Sequence, residues 1–495
     1  MTGEVKPNSR ANPFVGVTDT TFLFALLIIA TVATSLYGWN YIYFSTNGRA
    51  YLAAVNSCQG LSSTGGINGF SSPLSECWAR AMRSVADMMS GGFALTSLAT
   101  VLALGALPLV LKRRLRLALL LRPGVEMIEA RLRDVAASLE VPIPHVFLDS
   151  RPHAVGRMAG GWRRPWLLLT FGMLPLAVRH AQQFDAVVAH ELAHVRNKDV
   201  RKTELAVAAW WALVVTVVAP YLVATLTGPI RFVAWDVVAR LAFLTVVALL
   251  LRTALLRVRE HEADLRASSV PGIAPALVAM LEQRSDQSRG RLWAKHPTGE
   301  FRAAVVRRPQ LVMRASATHA MALGFVAYLP FPALMHWWAL YTHGRPAMTA
   351  GPVLGALLPG SILGGGLWAM GWRQAIAQRV AKGTTPRLLA CGGALGVGAV
   401  AASLSIPLPS EGSRILHYLT SPAQWLEGTL TVVGCSAAVV FVLRWTRLWT
   451  ARPKRGSGPA TGRVRGHLGS SRHGGVLQRP HRLDLGAGVA RRSRP

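Results

Sequence analysis

Two apolar runs stand almost back to back in the middle of this chain, Ala206–Gly228 and Arg231–Leu256, with only Pro229 and Ile230 between them. Each is long enough to cross about 30 Å of hydrocarbon as a helix. In that medium a helix satisfies its own backbone polar groups, whereas irregular chain does not. The pair therefore reads as a membrane hairpin. It returns whatever follows Leu256 to the side on which Ala206 began.

Six further apolar runs extend the pattern: Thr21–Phe44, Ser90–Leu111, Ala320–Tyr341, Ala350–Trp372, Leu388–Pro407 and Gly428–Trp449. Composition agrees: 51% of the 495 residues are hydrophobic and 16% charged, where a soluble domain carries about 25% charged. The net charge of +31 falls in places that give it a direction. Lys112-Arg113-Arg114-Leu115-Arg116 follows the second run, and Arg373–Arg387 is basic between runs whose other loops are not. Basic loops stay cytoplasmic, so eight spans with both termini inside are expected. The excess charge is then matched to anionic lipid, and no basic module with interleaved aromatics suggests a nucleic-acid partner. Cys58 and Cys77 share the expected external loop, 45–89, where a disulfide can form. Cys391 and Cys435 lie in apolar runs, and no Cys-x-x-Cys exists.

Just before the hairpin stands Ala189-His190-Glu191-Leu192-Ala193-His194, inside a stretch from Ala181 to Asn197 without Pro or Gly. Two His at i and i+4 share a helix face and reach one metal ion, and the Glu between them is placed to take a proton from water. A catalytic zinc wants a third protein ligand. Just after the hairpin come Glu260, His261, Glu262 and Asp264. Glu260 is preferred because Asp264 lies four residues on, where its carboxylate can accept the free ring N–H of a metal-bound His, His190 by preference. Glu262 and His261 are the rivals. Only a two-span hairpin brings these residues to the compartment of His190 and His194.

The motifs HELAHVRNKD and EHEAD resemble those of the integral-membrane zinc metallopeptidases related to the heat-shock protease HtpX and the CAAX prenyl endopeptidase, over roughly Val125 to Arg314. The resemblance implies Zn²⁺ held by His190, His194 and Glu260, with Glu191 as general base. It also implies an extended substrate added as a strand beside the metal helix, with Trp166–Thr170 as the candidate strand. His153-Ala154 stands where the family has Asn-Ala, so no substrate role is carried onto His153. His296-Pro297 and Arg302 are similar to a His-Pro and a following Arg of the family, which makes His296 and Arg302 candidates for oxyanion or substrate contact.

The expected fold class is therefore mainly α. It is a polytopic α-helical membrane protein with a cytoplasmic α+β zincin-like metallopeptidase domain split by the hairpin. The expected divisions are a tail at 1–20, two spans at 21–111, a first domain part at 112–205, the hairpin at 206–257, a second part at 258–317, four spans at 318–449 and a basic tail at 450–495. The function expected is zinc-dependent endoproteolysis of membrane-associated or misfolded proteins at the cell membrane. The alternative is a membrane signalling protein that uses such a domain for binding or self-cleavage. Neither the substrate nor the oligomeric state is legible.

Overall fold

The computed structural model describes residues 18–59, 72–115, 118–119, 126–160, 165–227, 235–283, 296–313, 316–331, 345–380, 388–405 and 421–451. The basic tail expected at 450–495 lies almost wholly outside the described residues, as does the first part of the tail expected at 1–20.

Helices α1 (Asp19–Gln59) and α2 (Ser72–Leu115) hold 41 and 44 residues, each about 60 Å long or more at ~1.5 Å per residue. That is twice the hydrocarbon thickness, and it revises the loop expected at 45–89. Most of that stretch continues the two helices. The reason is local packing: Tyr43, Tyr51, Val85 and Met89 form a small core, Tyr43 Oη lies 2.6 Å from Ser84 Oγ, and a Cys58–Cys77 disulfide with Cα atoms 5.6 Å apart joins the far ends.

The α+β part follows. It comprises β1 (Ala118–Leu119), α3 (Glu126–Ser138), β2 (His145–Asp149), β3 (Gly156–Ala159), β4 (Trp166–Thr170), α4 (Met173–Arg179) and α5 (Ala181–Arg196). The strands make one sheet in the order β1-β2-β4-β3, with β4 parallel to β2 and antiparallel to β3. Side chains alternate across a strand, so Leu167 and Leu169 enter the core beneath α5 with Phe184, Val188 and Leu192. Leu168 packs on the other face with Phe147 and Ala159. Strand β4 is thus bonded on both edges. The expectation that Trp166–Thr170 would receive an extended substrate is corrected: a strand with both ladders filled has no free N–H or C=O row to offer. The edge beside α5 belongs to β3.

Next, α6 (Asp199–Leu213), a π turn (Val214–Val218) and α7 (Ala219–Thr227) form one continuous apolar rod. Helix α8 (Trp235–Ala267) returns along it. In the π turn Thr216 Oγ1 lies 2.9 Å from Thr96 Oγ1, which accepts from Ser35 at 3.0 Å, so hydroxyls tie α1, α2 and the outgoing rod together inside an apolar layer. The remaining helices are α9 (Ile273–Gln283), α10 (Gly299–Arg307), α11 (Gln310–Met313), α12 (Ala317–Tyr328), α13 (Arg345–Val380), α14 (Leu388–Ser405) and α15 (Pro422–Ala451). Glycines let α12 and α14 pack backbone to backbone: a Cβ on Gly324 or Gly398 would overlap the facing carbonyl of Leu395 or Met321. Leu23, Leu26, Tyr37, Leu244, Leu323, Leu395 and Leu443 share one apolar core across these helices.

Among the described residues six helices are long and apolar enough to cross a membrane: Asp19–Cys58, Arg83–Val110, Asp199–Thr227, Val238–Ala267, Leu388–Ser405 and Pro422–Thr446. They match six of the eight expected spans. The fifth is described only as far as Phe331. The sixth lies in α13, which is helical throughout but is not among the six.

Candidate metal centre

Helix α5 forms where the sequence has sixteen residues without a breaker, and it buries Phe184, Val188 and Leu192 against the sheet. That orientation leaves His190 and His194 on the opposite flank, their rings 4.9 Å apart. Helix α8 runs uninterrupted from the apolar layer through Arg259–Asp264, so the return arm of the hairpin itself delivers the acidic residues. Glu260 arrives with Oε2 at 3.5 Å from His190 Nε2 and Oε1 at 3.7 Å from His194 Nε2. One ligand atom from each of the three lies within 4.8 Å of the others, the spacing a tetrahedral ion with ~2.0–2.2 Å bonds requires.

Both imidazoles are anchored through the nitrogen that faces away. His190 Nδ1 is 2.9 Å from Asp264 Oδ1, and His194 Nδ1 is 3.1 Å from Asp199 Oδ2. Each Nε2 is thereby aimed at Glu260. Burial alone would keep His190 neutral, but Asp264 and then Glu260 outweigh it and raise its pKa to about 10. The pocket therefore favours a positive charge, whether proton or metal. Two imidazole nitrogens, one carboxylate and carboxylate-anchored rings are the donor chemistry zinc takes, the ion displacing the His190 proton, so the residues present fit the ion.

The rivals for the third position point elsewhere. Glu262 Oε1 accepts the backbone N–H of Thr20 at 3.1 Å, and His261 packs edge-on against Phe301. Arg302, on α10, grips Asp264 with Nε and Nη2, both at 2.7 Å, and its Nη1 is 3.5 Å from Glu260. Burial opposes its charge, but Asp264 holds the guanidinium above its usual pKa. Arg302 thus sits against Asp264 and Glu260, with Nη2 also 3.4 Å from His190 Nε2. His296 differs: its Nδ1 lies 3.4 Å from Glu260 Oε2 while 64% of its side chain stays exposed, at the rim of the centre. Arg259 Nη2 donates to Glu260 Oε1 at 2.8 Å, and its Nη1 donates to Thr203 at 3.0 Å.

Glu191, buried between the two His, accepts the backbone N–H of Met158 at 2.6 Å. Met158 lies on β3, which approaches α5 so closely that a Cβ on Gly156 would sit 2.9 Å from Val187 Cγ1 and 3.1 Å from Glu191 Cγ. Gly156→Val is expected to lower stability by about 1–3 kcal/mol, because overpacking must push β3 off the helix. The thermal unfolding midpoint checks this, and an unchanged midpoint would mean that the strand moves freely.

Two features escaped sequence reasoning. Strand β3 is only four residues long and holds a Gly, so it carries no periodic signal. Asp199 stands in HELAHVRNKD at a spacing of five from His194, which is off the helix face. It reaches back because Lys198 adopts φ +57° and turns the chain, a left-handed conformation that costs a side-chain-bearing residue roughly 1–2 kcal/mol. An acidic residue closely following the second His was the available clue.

Residues 125–309 match the model of peptidase family M48, a segment that contains every residue of this centre. No curated protein and no solved structure matches the chain.

Proposed function

We propose, on the premise that this chain belongs to peptidase family M48, that it is a membrane-embedded zinc endopeptidase whose centre is His190, Glu191, His194 and Glu260. The family makes it a metallopeptidase, with a peptide or protein as its substrate. The observation that carries the finer reading is the convergence of both Nε2 atoms on Glu260, with each Nδ1 held by a buried carboxylate.

In this reading His190, His194 and Glu260 hold the ion. When bound, zinc supplies Lewis-acid polarisation of the scissile carbonyl and acidifies water. Glu191 takes the proton of the attacking water on its carboxylate and delivers it to the leaving amine nitrogen. Asp264 and Asp199 keep the two rings in one tautomer and orientation. His296, at the exposed rim, donates to the developing oxyanion. The outer edge of β3, where Glu191 accepts the Met158 N–H, holds the substrate main chain extended once that N–H is released to it.

Helix α1 supports a compartment for the centre. Its first turn meets Glu262, two residues from Glu260, whereas Cys58 lies at its other end, about 60 Å away along the helix. A disulfide belongs to an oxidising compartment, which supports a centre on the opposite, cytoplasmic side of the cell membrane.

Zinc content of the detergent-purified chain tests the proposal, alongside Glu260→Ala. Near one zinc per chain is expected in the wild type and far less in the variant. A wild type without zinc refutes the reading, and equal zinc in both would remove Glu260 from the ligand set.

A further inference from the structure

The first turn of α1 lies outside the family-matched segment, as does α13, yet both reach towards the candidate centre. Thr18 Oγ1 accepts the N–H of Thr21 at 3.3 Å and caps the helix. The N–H of Thr20 is taken by Glu262 of α8 at 3.1 Å. A helix N-terminus favours negative charge, and two buried carboxylates, Asp19 and Glu262, collect there. Lys202 of α6 donates to Thr21 Oγ1 at 2.7 Å. Asp19 in turn is held by Arg373 of α13, both Nη atoms meeting the carboxylate, with His319 Nδ1 at 3.8 Å. Arg373 Nη2 also donates to the carbonyl of Val312 at 2.8 Å.

Two routes therefore lead from one side chain to the centre. Arg373 fixes Asp19, the neighbour of Thr20, whose N–H holds Glu262 two residues from Glu260. Arg373 also fixes Val312, on α11, directly after the helix that carries Arg302, which grips Asp264 behind His190. The arginine's side chain is only 18% exposed, so it spends its donors on these partners.

We infer that Arg373, paired with Asp19, is a positioning residue for the metal centre, and that the helices after the matched segment complete the peptidase. This rests on the zinc reading above. Removing either partner lets the first turn of α1 and the α10–α11 segment drift. The carboxylates of Glu260 and Asp264 then lose their fixed placement. Partners that touch a ligand directly are worth about 10–100-fold in metal affinity, and Arg373 and Asp19 act through them.

The test measures zinc affinity of the full chain in detergent by competition with a chromogenic chelator. It compares wild type, Arg373→Gln, the isosteric Asp19→Asn, the double variant, and Trp368→Ala on the same helix as a control. Each single variant is expected to bind zinc at least tenfold more weakly, the double variant no more weakly than the worse single, and the control as wild type. Wild-type affinity in both single variants overturns the inference, and so does a lowered unfolding midpoint with unchanged affinity. Additive losses in the double variant also overturn it, because the two residues would then act apart. A wild type that binds no zinc fails the functional reading itself, a distinguishable result.

Discussion

Glu191→Gln is expected to lower peptide turnover by roughly 10²–10⁴-fold while zinc content stays at the wild-type level. The substitution is nearly isosteric, and the amide carbonyl can still accept the Met158 N–H that the carboxylate accepts at 2.6 Å. The packing of β3 on α5 therefore survives. What disappears is the ability to take and return a proton. Glu191 makes no contact with the Nδ1 anchors Asp264 and Asp199, so the ligand geometry has no reason to change. Turnover of a quenched peptide together with zinc per chain decides the matter. Normal turnover would remove Glu191 from the chemistry, and lost zinc would make it a structural or ligating residue instead.

Asp264→Ala carries the largest expected effect on stability. Asp264 is fully buried and accepts two hydrogen bonds from Arg302 and one from His190. Its removal strips a buried guanidinium of its two hydrogen-bonded oxygens and leaves it only Glu260, 3.5 Å away, as counter-charge, at a cost of up to about 3–5 kcal/mol. It also frees the His190 ring, for a further 10–100-fold loss of metal affinity. The double variant Asp264→Ala/Arg302→Met separates the two. Deleting the stranded charge should recover much of the unfolding midpoint but none of the affinity, because His190 still lacks its anchor. Recovery of both would mean that Asp264 serves only to neutralise Arg302.

The HExxH helix was legible because its chemistry is local. Two His and a Glu at helical spacing imply their common face, and the absence of breakers from Ala181 implies the helix. The hairpin was legible for a similar reason, since long apolar runs leave the backbone one solution. Together they put Glu260 in the compartment of His190 and His194. The choice of Glu260 over Glu262 rested on its spacing to Asp264. In the structure Glu260 lies beside both Nε2 atoms, while Glu262 turns to Thr20. The expectation for Trp166–Thr170 failed because β4, a run of large apolar residues, gives the stronger strand signal but is paired on both sides, whereas an edge strand such as β3 is short and mixed.

What the sequence determined by itself was therefore everything that depends on period, length and residue type: the apolar helices, the HExxH helix, and the order in which Glu260 and Asp264 come along α8. Tertiary structure alone decided which strand lies at the sheet edge, that Asp199 reaches back to His194, that Arg302 clamps Asp264, and that Asp19 meets Arg373 across 354 residues of chain. The physical reason is range. Helical and hydrophobic periodicity are set by neighbours a few residues apart. Which buried carboxylate meets which cation is set by the packing of whole helices, where each buried charge must find a partner.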